Sequence, residues 1–267
     1  ILVVADDPSM HSSQDEQDSR AYGRFAMLPV FEPSTQQEAY NAVHQAFELS
    51  ESVKLPVIMR ITTRMSHSRA IVERKPMRQM NTLNPDTKDK HWVLLPAIAK
   101  RNYEGLIVKQ AELEKASSAS PLNRIIEGKG QKGVIAFGIG YNYVMEVCKA
   151  NNLELPILKI SQYPLPKQMV QNFIDKYDEI LVVEEGYPIY EELLRGFSDN
   201  KKFRGRMDGA LPRTGELSPD AVAPALGVKP TETRQIPAIM ANRPPALCVG
   251  CSHRDMYEEL NTDRKST

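Results

Sequence analysis

Cys248-Val249-Gly250-Cys251 brings two thiols within reach of one metal centre, and His253 follows two residues later. Structural zinc and the common iron–sulfur clusters take four ligands, so this pair is half a site. Cys148 is the only other cysteine, and no further ligand stands at zinc-site spacing. The pair therefore reads as metal ligands, for a cluster or a structural zinc completed elsewhere, rather than as two idle thiols. It lies close to the end of the sequence, and Ile1-Leu2-Val3-Val4-Ala5 reads as a buried strand at the start. Both ends lead us to expect an internal piece of a longer protein.

A second reactive group lies in two polar stretches. Asp6 to Arg20 contains Asp7, His11, Ser12, Ser13, Gln14, Glu16, Gln17 and Arg20, and Thr62 to Ser68 contains Thr63, Arg64 and His67. Each follows an apolar run with strand character, at the end where open α/β sheets place ligands. The two stretches are expected to share one sheet edge and bound one cleft. There an arginine could clamp a carboxylate and a histidine could move protons. The plain alternatives are solvated loops and surface histidines. Gly138-Ile139-Gly140 also follows a strand, but Tyr143 stands where a dinucleotide fingerprint needs its third glycine. These glycines are read as permitting a tight strand-to-helix turn.

The elements that must carry these residues alternate. Ile1–Ala5, Leu28–Glu32 and Leu55–Thr62 read as strands. Between the last two, Ser34 or Thr35 caps a helix in which Ala39, Val43, Ala46, Phe47 and Val53 recur at helical spacing. Met77, Met80, Asn81, Asn84 and Pro85 belong to an irregular connector, and Trp92–Ser117 to one long helix. Val134–Phe137, Leu155–Ile160 and Ile180–Val183 are strands separated by helices, the second helix opened by Pro164-Leu165-Pro166 and the last by Pro188. Phe197–Leu247 reads as an extended linker. The fold class is α/β, with two separate parallel sheets joined by a helical connector.

Composition excludes several classes. Lys and Arg number 34, as do Asp and Glu, so no global basic field draws the chain to nucleic acid or anionic lipid. No apolar run approaches a membrane span, so no membrane association is expected. Three cysteines make no disulfide framework, and the cytoplasm is the simplest compartment.

In order along the chain, five segments resemble the thiamine-diphosphate-dependent 2-oxoacid:ferredoxin oxidoreductases, and among them the alpha subunit of the indolepyruvate type. They are Ala5–Arg20, Arg60–Ser68, Tyr163–Pro166, Val182–Glu185 and Arg243–Arg254. The first and last are long and specific. The family usually has proline at the positions of Val249 and Ser252, although both cysteines and His253 match.

The resemblance implies that residues 1–75 are the C-terminal part of a pyrimidine-binding domain and 76–130 a helical connector. It makes 131–200 a transketolase C-terminal-like domain, 201–245 a linker and 246–267 the start of a diphosphate-binding domain. The implied reaction is oxidative decarboxylation of arylpyruvates to aryl-acyl-CoA with electrons passed to ferredoxin. The implied cofactors of the complete enzyme are thiamine diphosphate, magnesium and 4Fe–4S clusters, with Cys248 and Cys251 as cluster ligands. Its partners would be a beta subunit, ferredoxin, the arylpyruvate and CoA, in an oligomeric assembly. In this family the glutamate that activates the cofactor lies upstream of Ile1 and the magnesium–diphosphate motif downstream of Thr267. Asp208-Gly209 follows Met207 and does not replace that motif. The chain alone is therefore expected to hold no cofactor and to be inactive. Two alternatives stay open: an assembly module without activity, and a related enzyme for another 2-oxoacid.

Overall fold

The computed structural model describes residues 1–77, 79–80, 82, 93, 95–196, 202–231, 247 and 249–263. They fall into two units, Ile1–Thr231 and Glu232–Thr267. In the first, β1 (Leu2–Asp6) leads through α1 (Arg20–Ala26) to β2 (Val30–Phe31). Helix α2 (Gln36–Val53) then returns the chain to β3 (Ile58–Thr62), which runs directly into α3 (Thr63–His67). After α4 (Pro96–Ser118) come β4 (Arg124–Ile126), β5 (Lys132–Phe137), α5 (Gly140–Ala150), β6 (Ile157–Ile160) and β7 (Gln162–Tyr163). The series ends with α6 (Lys167–Ile174), β8 (Glu179–Val183), α7 (Ile189–Arg195), β9 (Lys202–Arg204) and α8 (Pro219–Val222).

These strands form two sheets, ordered β1-β3-β2-β7 and β4-β6-β5-β8-β9. All pairings are parallel except β7 on β2 and β4 on β6, which are antiparallel. The α/β class with parallel sheets is thus as expected. The sheets are nevertheless linked: β6 ends at Ile160 in one, and β7 begins at Gln162 in the other. The backbone N–H of Glu32 donates to the carbonyl of Ser161, between them, at 2.8 Å.

Period-two alternation sorts side chains between layers. Val30 and Ile58 of the first sheet face Ile135, Phe137, Leu158, Ile160, Ile180 and Val182 of the second in a common core. The opposite face of the first sheet, through Phe31 and Met59, packs on Ala42 and Ala46 of α2. The opposite face of the second sheet, through Val134, Ala136, Leu181 and Val183, packs on Tyr143, Val144 and Cys148 of α5. Cys148 is therefore a core residue. Helix α2 is capped by Thr35, whose hydroxyl accepts the Glu38 N–H at 3.1 Å, while the Glu38 carboxylate reaches back to the N–H of Ser34 at 2.9 Å.

Three sequence expectations change. The first strand is the edge of its sheet, with Leu2 54% and Val3 57% exposed, because nothing among the described residues pairs beyond it. On α2, Val43 and Phe47 point outward, and Ala42, Ala46 and Val53 are the buried set. Much of the expected linker is folded: β9 extends the second sheet, and Leu211, Leu217 and Val222 complete its outer core. Asn81, Asn84, Pro85, Trp92, Phe197 and Cys248 lie outside the described residues. No helix among those described is long and apolar enough to cross a membrane.

In the second unit, α9 (Ser252–Asp263) begins one residue after Cys251. The Cys251 Sγ lies 3.3 Å from His253 Nδ1.

Gly138 has φ +48°, and a Cβ there would stand 2.4 Å from Cγ of buried Glu32. Its role is close approach between strand ends, in keeping with the tight-turn reading. Gly138→Ala should cost about 2–4 kcal/mol, from overpacking and left-handed backbone together. Urea unfolding measures this, and a loss under about 0.5 kcal/mol, the range of an ordinary surface change, would refute the packing argument.

Candidate functional site

The β1–β3 register decides what meets at the sheet edge. Asp6 stands opposite Thr62, so the segments that follow these residues emerge side by side. Thr63 Oγ1 donates to Asp7 Oδ1 at 2.6 Å and lies 3.1 Å from the Asp6 carbonyl oxygen. Asp7 Oδ2 accepts the N–H groups of Ser12 and Ser13 at 2.7 and 2.9 Å and the Ser13 hydroxyl at 3.1 Å. Burial alone would raise the Asp7 pKa, but these donors hold it well below the ordinary carboxylate range. Asp7 therefore folds the polar loop over itself and is not an acid at neutral pH.

Arg64 and His11 meet above this loop at a shared carboxylate. Glu216, from the segment after β9, accepts from Arg64 Nε at 2.7 Å and lies 3.1 Å from His11 Nε2. Arg64 Nη2 donates to the Leu217 carbonyl at 3.3 Å, and the guanidinium lies 5.4 Å from the Tyr143 ring centroid. The Arg64 side chain is 41% exposed and that of His11 52%. Arg64 also lines a cavity of ≈ 230 Å³ with Ser34, Gln36, Ser68, Asn142 and Tyr143.

Beneath this rim lies a buried ionic layer. The same alternation that sends Val4, Ile58 and Val30 toward the second sheet sends Asp6, Arg60 and Glu32 there. Arg60 contacts Asp6 and Glu32 and donates to the Glu185 carbonyl at 3.0 Å. Arg20 holds Asp18 through two N–H groups, meets Glu184 at 2.8 Å, and donates to the carbonyls of Glu185 and Tyr187 at 3.1 and 2.9 Å. Ser19 closes on Asp6 through its hydroxyl and its N–H, and the Tyr163 hydroxyl donates to Glu32. Burial opposes ionisation of Asp18, but Arg20 and Arg60 hold it down to about 2.

The Glu184-Glu185 pair at the end of β8 splits between the two faces of its sheet. Glu184 turns inward to Arg20 and the N–H groups of Tyr190 and Glu191, and burial pushes it up to about 7 against them. Glu185 turns outward. Its Oε1 accepts from the Leu217 N–H at 3.1 Å and Arg206 at 3.3 Å, while Oε2 is buried. The Tyr143 hydroxyl is buried beside this carboxyl and interacts with it. Burial pushes Glu185 up to about 7 as well.

No family model matches the chain. It is 38% identical to indolepyruvate oxidoreductase subunit IorA of Archaeoglobus fulgidus over 268 residues, covering 95% of this chain and 43% of that protein. IorA of Methanothermobacter thermautotrophicus is also 38% identical, over 96% of this chain and 44% of its own length. Nearly the whole chain is thus similar to one part of the IorA subunit. It spans less than half the length of these relatives. Among solved structures, 2-oxoglutarate:ferredoxin oxidoreductase from Magnetococcus marinus aligns with 66% of this chain and 38% of its own, at 14% identity and TM-score 0.49.

In this chain the expected residues separate into two sets. Arg64 and His11 come together at Glu216, and Thr63, Ser12 and Ser13 come together at Asp7. Glu16 accepts the Ser9 N–H at 3.0 Å and so braces the loop across its middle. Gln14, Gln17 and His67 are exposed, His67 at the end of α3. Arg20 has a different place from the one expected: fully buried and bound to Asp18 and Glu184, it cannot face a ligand. Sequence reasoning missed Arg60, Glu184, Glu185 and Glu216 as site-forming residues. For three of them a signal existed, since an arginine in the apolar run Ile58–Ile61 and two glutamates closing an apolar strand must be paired when buried.

Stability should follow the two raised glutamates. A carboxyl whose folded pKa lies above its ordinary 4.5 contributes fully below that value and loses the contribution as pH rises through about 7. Asp18 acts oppositely, contributing above its ordinary 3.8 and losing this as pH falls toward about 2. The unfolding midpoint should therefore peak near pH 4–5 and decline toward pH 7, by at most about 1.4 kcal/mol per pH unit per group. Glu185→Gln should flatten part of that decline, whereas an unaltered slope would mean that Glu185 is already ionised in the fold.

Proposed function

We propose that this chain forms part of the catalytic subunit of an indolepyruvate-type 2-oxoacid:ferredoxin oxidoreductase. The complete enzyme would oxidatively decarboxylate arylpyruvates to aryl-acyl-CoA and pass electrons to ferredoxin, together with a beta subunit in an oligomeric assembly. The IorA match along 95% of the chain is the observation that carries this reading. Residues 1–75 would then belong to the pyrimidine-binding domain and 131–200 to the transketolase C-terminal-like domain, with 76–130 connecting them. Residues 201–245 would lead on to the start of the diphosphate-binding domain at 246–267.

Thiamine diphosphate with magnesium is the cofactor the family implies. The described residues do not fit its diphosphate end. Asp6, Asp18, Glu32 and Glu184 are already engaged by arginines or backbone N–H groups, and no group of three His, Cys, Asp or Glu side chains among the described residues is placed to hold a metal ion. Cys248 and Cys251 are the two thiols this chain could offer a 4Fe–4S cluster, since Cys148 is committed to the core. Half a ligand set does not hold a cluster.

The rim supplies recognition. Arg64 is a partly exposed guanidinium, held against Tyr143, that could receive the carboxylate of a 2-oxoacid. His11, at the same Glu216 carboxylate, is a group able to carry a proton. The ionic layer beneath fixes the loops that bear them, so that recognition draws on positions set in advance.

Arg64→Ala in the complete enzyme should raise the arylpyruvate KM about tenfold or more while leaving the unfolding midpoint nearly unchanged. Arg20→Ala should instead destabilise by about 3–5 kcal/mol, because buried carboxylates lose their counter-charge. Steady-state kinetics and urea unfolding of both variants separate the roles. An unchanged KM for Arg64→Ala would favour the assembly-module reading. For the thiols, Cys251→Ala should lower the iron content of the complete enzyme by one cluster, and full iron content would remove them as ligands.

A further inference from the structure

Glu216 holds the two rim residues that could recognise a substrate. One of its oxygens is 2.7 Å from Arg64 Nε and the other 3.1 Å from His11 Nε2. It does not sit on a free loop. The segment bearing it is fastened on both sides: the Leu217 N–H donates to Glu185 Oε1 at 3.1 Å, and Arg206 Nη1 donates to the carbonyls of Pro212 and Gly215 at 3.0 and 3.3 Å. Arg206 is itself fixed, since its N–H donates to Glu191 Oε2 at 2.8 Å and its Nε to the Glu184 carbonyl at 3.1 Å. Two buried glutamates and a buried arginine thus set where the Glu216 carboxylate stands.

We propose that Glu216 is a specificity-determining residue: an internal carboxylate that occupies Arg64 and must be displaced by the carboxylate of an incoming 2-oxoacid. This rests on the reading of Arg64 given above. The physical ground is that Glu216 already makes with Arg64 the charge-assisted contact a substrate carboxylate would make. A second carboxylate arriving at the same guanidinium meets like charge at close range, so it binds only as tightly as it outcompetes Glu216. A 2-oxoacid able to add favourable contacts elsewhere, such as an aryl group, displaces Glu216 more readily than a bare carboxylate does. Glu216 thereby discriminates against small carboxylic acids that have only the carboxylate to offer. No covalent step is involved.

Kinetics of the complete enzyme with indolepyruvate and with acetate as a competing carboxylate provide the test. Glu216→Gln keeps the shape and removes the charge. It should lower the indolepyruvate KM about threefold to fivefold without raising kcat, and strengthen acetate inhibition at least as much. Should that variant fail to assemble, Glu216→Ser removes the carboxylate outright and should act in the same direction. Glu146→Gln removes an acidic residue that lines the same cavity as Arg64, and should leave both constants unchanged. A KM that rises in Glu216→Gln, in step with Arg64→Ala, would make Glu216 a positioning partner and overturn the competitor role. An unchanged KM and acetate constant would overturn it too, as would an equal fall in Glu146→Gln, which would point to the general negative field. In each of these cases a large effect of Arg64→Ala leaves the functional reading standing. If Arg64→Ala itself has no effect, the functional reading fails first and the inference falls with it.

Discussion

Two guanidiniums placed out of water dictate much of this structure. Arg20 and Arg60 are fully buried, and around them stand Asp6, Asp18, Glu32 and Glu184. Removing such ions from water is costly unless each finds a partner in good geometry. The partners come from β1, the end of β2, the loop before α1 and the end of β8, so no one of these can shift without exposing an unpaired charge. An apolar contact between the two sheets would tolerate sliding; this layer fixes their relative position. The four carboxylates outnumber the two arginines, and burial answers by pushing Glu184 toward its neutral form.

The alternation of β8 distributes that constraint. Glu184 enters the ionic layer, and the next residue, Glu185, faces the other way and fastens the segment that carries Glu216. Two adjacent glutamates thus join the buried layer to the exposed rim. The rim residues themselves are ordinary surface groups. Their fixed mutual placement follows from what lies below them, and from the register that sets Asp6 beside Thr62.

The strand–helix succession was legible because period-two and 3.6-residue patterns are local. The meeting of the two polar loops was legible because both follow parallel strands at the same edge. What the sequence hid is non-local. Arg20 sits in a polar stretch that reads as solvated, and only the closure of one sheet over the other buries it. Glu216 lies in a stretch rich in Gly and Pro whose fold depends on Glu185 and Arg206 rather than on its own propensities. The outward turn of Val43 and Phe47 came from the same limit, since periodicity finds a stripe but cannot say which side of it meets the sheet. Ile1–Ala5 read as buried because composition does not distinguish an edge strand from a central one.

The single residue Ser161 between β6 and β7 carries the chain from one sheet to the other. Consecutive strands normally stay within one layer, and exchangeable modules depend on that. Here the first sheet takes its last strand from the middle of the second α/β run. A graft that moved residues 131–200 into another protein would also remove the strand that closes β2 and the tyrosine that donates to Glu32. In evolutionary terms the two sheets are a single inheritable piece, and recombination between them is penalised wherever the break falls.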